Sequence, residues 1–80
     1  MVSRLSRQSA RGEIMEALKM AKAAFTSGEC ALGLEDLHYT SRLLYDAPRI
    51  RGRLTDREIA RFGSVVDRLF PAYGVCVHSA

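Results

Sequence analysis

Nothing in this 80-residue chain occurs at the spacing that metal binding, catalysis or membrane insertion requires. Cysteine is limited to Cys30 and Cys76, far apart and unpaired in the sequence. Zinc sites favour close pairs such as C-x2-C or H-x3-H, because neighbouring ligands pre-arrange the tetrahedron. Cys30, His38, Cys76 and His78 offer only the cramped Cys76-x-His78, so no metal is expected. His38, with Glu35 at i−3, and Cys76 are the residues with acid–base or nucleophilic chemistry. Neither lies in a Gly-rich or strand–turn–helix setting, and small helical bundles seldom form deep pockets. No enzyme activity, cofactor or small-molecule substrate is expected. No apolar run approaches transmembrane length, and Met1–Arg11 lacks the apolar core of a secretory leader. The expectation is therefore a cytoplasmic protein, away from membranes, whose two thiols stay free, with a single disulfide as the alternative.

Lysine is also scarce. Ten of the twelve basic residues are Arg, which suits phosphate and carboxylate forks but also follows from GC-rich coding. The net charge of +3 is mild, yet it is unevenly placed. Residues 1–12 carry Arg4, Arg7 and Arg11 and no acid. Residues 29–48 carry Glu29, Glu35, Asp36 and Asp46 against Arg42. Residues 49–61 carry five Arg against Asp56 and Glu58. An acidic middle between two basic segments either neutralises itself within the fold or shows a basic face to a polyanion. At 48% hydrophobic and 26% charged, the chain has enough apolar material for one core and no room for a second. A domain of this size buries only about 60–65% of its unfolded surface, so association or ligand binding would add needed stability.

What is present is helical periodicity. Residues 1–8 read as a basic, flexible arm, and 9–80 as a single helical domain. Ser9 is a candidate N-cap, and Ile14, Leu18, Ala21 and Phe25 recur at i, i+4, i+7 and i+11. Ala17 and Ala24 keep that face thin, while Met15 and Met20 fall off it and should be half exposed. Ser27-Gly28 stops the first helix through a left-handed glycine cap. Thr26 and Glu29 have capping-box spacing, so a second helix should follow almost at once. It spans 29–46, with Gly33 inside it marking a close approach, and Asp46-Ala47-Pro48 ends it. Gly28-Glu29, Leu34, Leu37 and Thr40, after Ala21 and Ala24, resemble the helix–turn–helix hairpin of a tetratricopeptide repeat. That resemblance covers about 34 residues in one copy, where repeat arrays need about three. It implies two antiparallel helices.

Arg49–Arg53 reads as a basic loop. Thr55 and Glu58 then form a capping box, with Leu54 and Ile59 at the hydrophobic-staple positions. A third helix over 56–70 follows, apolar at Ile59, Phe62, Val66, Leu69 and Phe70, and Pro71 ends it. Thr55–Gly63 resembles the first helix of a bacterial helix–turn–helix. Ala60 to Gly63 is one residue shorter than that turn needs, and too little chain follows for a recognition helix, so the motif is rejected. The last nine residues read as a docked tail.

The fold expected is all-α: an antiparallel hairpin over about 10–27 and 29–46, a third helix over 56–70 laid across it, and a short tail. Leu18, Phe25, Leu34, Leu37, Phe62, Val66 and Leu69 should form the core.

Two surfaces carry functional candidates. The middle helix has two apolar stripes: Cys30, Leu34, Leu37, Ser41 and Leu44 on one side, and Leu32, Tyr39 and Leu43, with Asp36 among them, nearly opposite. The second stripe is either core, sandwiched by the rest of the chain, or a ridge for a partner helix or a second copy. The other surface is basic: Arg49, Arg51 and Arg53 lead into Arg57, Arg61 and Arg68 on one face of the third helix. Convergent guanidinium groups suit phosphate, although Asp56, Glu58 and Asp67 dilute the field and no aromatics are interleaved for base stacking. The leading reading is a non-enzymatic interaction module, an adaptor or inhibitor-like regulator that binds another protein or itself as a homodimer. The alternative is a nucleic-acid-binding accessory protein.

Overall fold

The computed structural model describes residues 7–79. The described residues are all-α: α1 (Arg7–Thr26), α2 (Cys30–Tyr45), the single-turn α3 (Pro48–Arg51) and α4 (Asp56–Ser79). Residues 1–6 of the expected arm lie outside them, while Arg7 and Gln8 already belong to α1, so Ser9 is inside the helix and does not cap it.

The first connection is set by Gly28, whose φ of 83° only glycine adopts without strain. The Gly28 N–H donates to the Phe25 carbonyl, and the Glu29 N–H donates to the Ala24 carbonyl at 2.8 Å. Those two bonds make a Schellman cap and satisfy carbonyls that the end of α1 leaves open. The Thr26–Glu29 capping box does not form. Thr26 is still in α1 and its hydroxyl donates to the Lys22 carbonyl, so α2 starts at Cys30 without a side-chain cap.

The second start signal holds in full. The Glu58 N–H donates to Thr55 Oγ1 at 3.1 Å, and the Thr55 N–H donates to Glu58 Oε1 at 2.8 Å. Leu54 and Ile59 pack against the core beneath this box.

Residue pairs give the packing register. Phe25 meets Gly33 and Glu13 meets Tyr39, so α2 runs back along α1. Tyr45 meets Gly63, His38 meets Phe70, and Cys30 meets Cys76, so α4 runs antiparallel to α2. From Gly63 to Cys76 is about 20 Å of helix, and contact over that whole length means α4 lies beside α2 rather than steeply across it. Arg11 pairs with Glu58 and Phe25 with Tyr73, so α1 and α4 run parallel. The hydrophobic core lies among α1, α2 and α4: Ile14, Leu18, Ala21, Leu37, Leu44, Phe62, Val66 and Leu69, closed at one end by Ile50. Of the residues expected in the core, Phe25 packs against it from the edge and Leu34 is only partly buried, outside the cluster.

Three further expectations need correcting. The segment 49–53 is not simply a loop: Pro48 opens the short α3, which buries Ile50 completely. Pro71 does not end the last helix, which continues to Ser79, so residues 72–79 are helix and not a separate tail. The thiols are not free: Cys30 and Cys76 form a disulfide, with Cα atoms 5.8 Å apart. The last two corrections are connected. A proline inside a helix removes one hydrogen bond and crowds the preceding turn. Here Ala72 packs on the core, Tyr73 on Phe25, and the disulfide ties Cys76 to α2, which together hold the continuation in helical form.

Candidate functional site

The structure divides the second stripe of α2. Leu43 is buried in the core, with 6% exposure, whereas Leu32 and Tyr39 are each 46% exposed. Lying between α1 and α4, α2 needs a wide apolar arc, and Leu43 falls inside that arc, which removes it from the candidate partner-binding set. Thr40 is a polar residue drawn inward, and its hydroxyl donates to the Asp36 carbonyl at 2.8 Å, so its burial leaves no open donor.

Met20 of α1, 54% exposed as its off-stripe position implied, lies beside Tyr39 on the surface. A shallow depression between α1 and α2 is lined by Glu13, Glu16, Ala17, Met20, Asp36 and Tyr39. A second one shares Asp36 and Tyr39 with Leu32, Glu35, His38 and Arg42. The first depression therefore has a thioether, a phenol ring and three carboxylates in its lining, and no cation. The Tyr39 hydroxyl donates to Glu13 Oε1 at 3.3 Å, which turns the ring across the seam between the helices. Glu13, Glu16 and Met20 share a face because they sit at i, i+3 and i+7 of α1. Sequence reasoning centred on α2 passed over the two glutamates, although that spacing was available.

At the margin of the second depression the His38 ring meets Phe70 edge-on, with centroids 5.9 Å apart. Phe70, assigned to the apolar face of the third helix, is in fact 40% exposed. His38 is thus an exposed ring in an aromatic contact.

The arginine surface lies elsewhere. Arg49, Arg51 and Arg53 project from α3 and the turn after it, and Arg57, Arg61 and Arg68 from α4; all six are exposed. Arg61 lines a cleft with Arg11, Met15, Glu58 and Phe62. There Arg11 forms an ion pair with Glu58 at 2.6 Å, so a carboxylate breaks into the basic field.

Cys30 and Cys76, considered above as ligand-capable, are consumed by their disulfide. Among the described residues no group of three or more His, Cys, Asp or Glu side chains converges as a metal site would require. No described helix is long and apolar enough to cross a membrane. No known protein family, curated protein or solved structure matches this chain.

Proposed function

We propose that this chain is a small non-enzymatic interaction module, an adaptor or inhibitor-like regulator, whose α1–α2 face receives a basic amphipathic helix of another protein. The observation that carries the reading is the half-exposed set Met20, Leu32 and Tyr39, bordered by Glu13, Glu16 and Asp36. Apolar side chains kept at the surface of a small domain favour association. The three carboxylates around the Met20–Tyr39 depression, whose lining holds no cation, select a partner that brings lysine or arginine beside its own apolar stripe. A guanidinium or ammonium over Tyr39 gains from the ring face as well as from the acids. A second copy of the chain is a less suitable occupant, because α1 and α2 would meet their own acidic border.

The test is titration of a designed leucine–lysine amphipathic helix, with a leucine–glutamate helix of equal hydrophobicity as control. The basic peptide should bind and the acidic one should not. Leu32→Ser with Tyr39→Ser should weaken binding about tenfold or more, as the loss of central interface anchors does. Equal binding of both peptides, or unchanged affinity in the variant, would overturn the reading. Light scattering on the free chain tests for the homodimer in parallel.

The exposure of all six arginines on α3, the following turn and α4 favours a second reading, a nucleic-acid accessory surface. It predicts binding that falls steeply with salt and is lost on reversing Arg49, Arg51, Arg53, Arg57, Arg61 and Arg68 to Glu.

A further inference from the structure

The Cys30–Cys76 bond is placed where breaking it would change one segment of the molecule. Cys30 is the first residue of α2, and Cys76 lies near the end of α4, 46 residues later. Among residues 71–79 Cys76 alone is buried, while Ala72, Tyr73 and Gly74 are partly covered and Val75, Val77, His78 and Ser79 are exposed. The non-covalent attachments of this segment are slight: Ala72 at the edge of the core, and Tyr73 against Phe25 with ring centroids 6.3 Å apart. Pro71 stands immediately before it and removes the helical hydrogen bond that would otherwise tie this turn to the one before. An open cleft lined by Phe25, Thr26, Gly28, Ala72, Val75, Cys76 and Ser79 brings solvent to the Cys76 side of the bond.

We propose that this pair is a reversible redox-modification site and that its two-electron reduction by a dithiol releases residues 72–79 from the bundle. The reductant's thiolate attacks Cys76 Sγ from the cleft, forming a mixed disulfide as the Cys30–Cys76 bond breaks. The electron pair leaves on Cys30 Sγ, where the unpaired N–H groups at the start of α2 stabilise a thiolate. That sulfur then takes a proton, and the Gly28 carbonyl oxygen, 3.6 Å away, accepts from the resulting S–H. The reductant's second thiolate attacks its own bound sulfur, closing a cyclic disulfide and expelling Cys76, which is protonated in turn. The pair gains two electrons and two protons, and the dithiol loses them. A low-molecular-weight disulfide reverses the change by two thiol exchanges. Once released, the segment hinges at Pro71 and uncovers Phe25, a large apolar side chain at the α1–α2 turn. This control is independent of the peptide-binding reading, since the α1–α2 depression lies on other residues.

The experiment is alkylation with intact-mass detection, followed by amide hydrogen exchange with and without dithiothreitol. Before reduction no thiol should be alkylated, and afterwards both should be. Exchange over 72–79 should rise about tenfold or more on reduction, while protection in α1, α2 and the first part of α4 holds, the pattern of a local opening. Cys30→Ser/Cys76→Ser should match the reduced protein and stay matched when dithiothreitol is added. Free thiols in the air-oxidised protein, unchanged exchange on reduction, or loss of protection throughout the bundle would each overturn the proposal. The last result would make the bond a staple for the whole fold.

Discussion

The Phe25 ring covers the backbone of Gly33 so closely that a Cβ built there lies 2.5 Å from Cε1 and 2.6 Å from Cδ1. Tyr73 also stands against the ring, with centroids 6.3 Å apart, so the ring cannot shift without disturbing that contact. Gly33→Ala gains about 1 kcal/mol of helix propensity. Against that, displacing a packed ring costs about 1–3 kcal/mol. The expected net effect is a lower midpoint in urea unfolding. Gly12 provides the control: it is inside α1 with open space around it, and Gly12→Ala should stabilise by about 0.5–1 kcal/mol. A Gly33→Ala variant as stable as Gly12→Ala would show that the ring swings aside at no cost.

The division of the second α2 stripe predicts opposite outcomes for two leucines eleven residues apart. Leu43→Ala removes a buried side chain and should cost about 2–5 kcal/mol. Leu32→Ser changes a surface position and should stay within about 0.5 kcal/mol. Thermal melts followed by circular dichroism separate the two. A large loss at Leu32 would put that residue in the core and remove it from the binding surface.

The capping box at α4 predicts a measurable coupling. Thr55→Ala removes the acceptor for the Glu58 N–H and should cost about 1 kcal/mol. Glu58→Gln keeps a hydrogen-bonding group but weakens the pair with Arg11, a bridge worth about 0.2–1 kcal/mol at that exposure. Because Glu58 serves both the box and the bridge, the two substitutions should not be additive in a double-mutant cycle. Strict additivity would mean that the box and the bridge form independently.

The Thr55–Glu58 and Gly28 signals were legible because they are self-contained, whereas the equally local Thr26–Glu29 spacing misled because Thr26 still belongs to α1. Thr55 and Glu58 lie within one turn, and Gly28 needs only its own φ, so each could be read without knowing the fold. The extent of α4 was not legible, because its continuation past Pro71 depends on contacts with Phe25 and Cys30, far away in the chain. Pro71 taken alone argues for a stop, and only the tertiary partners outweigh it. Ile50 was hidden for a related reason: surrounded by arginines, it gave no periodic pattern, and its burial follows from Pro48 turning the chain into α3. On the candidate surface, periodicity placed Leu32 and Tyr39 on a separate stripe but could not divide them from Leu43. That division depends on how α1 and α4 enclose α2, and so does the meeting of Tyr39 with Glu13.

Pro71 itself gives the final prediction. Replacing it with alanine restores an N–H donor for the Asp67 carbonyl and relieves the ring's crowding of the preceding turn, an effect of about 3 kcal/mol in a helix interior. In the oxidised protein the disulfide already holds the segment, so Pro71→Ala should alter exchange over 72–79 only slightly. In the reduced protein the same substitution should suppress much of the exchange that reduction induces, because an unbroken helix resists hinging. The comparison is one exchange experiment on four samples, wild type and Pro71→Ala, each oxidised and reduced. If Pro71→Ala slows exchange equally in both redox states, helix propensity alone governs the segment. If it has no effect in either, the weak point after reduction lies at Gly74, the other poor helix former there, and Gly74→Ala should then give the protection that Pro71→Ala did not.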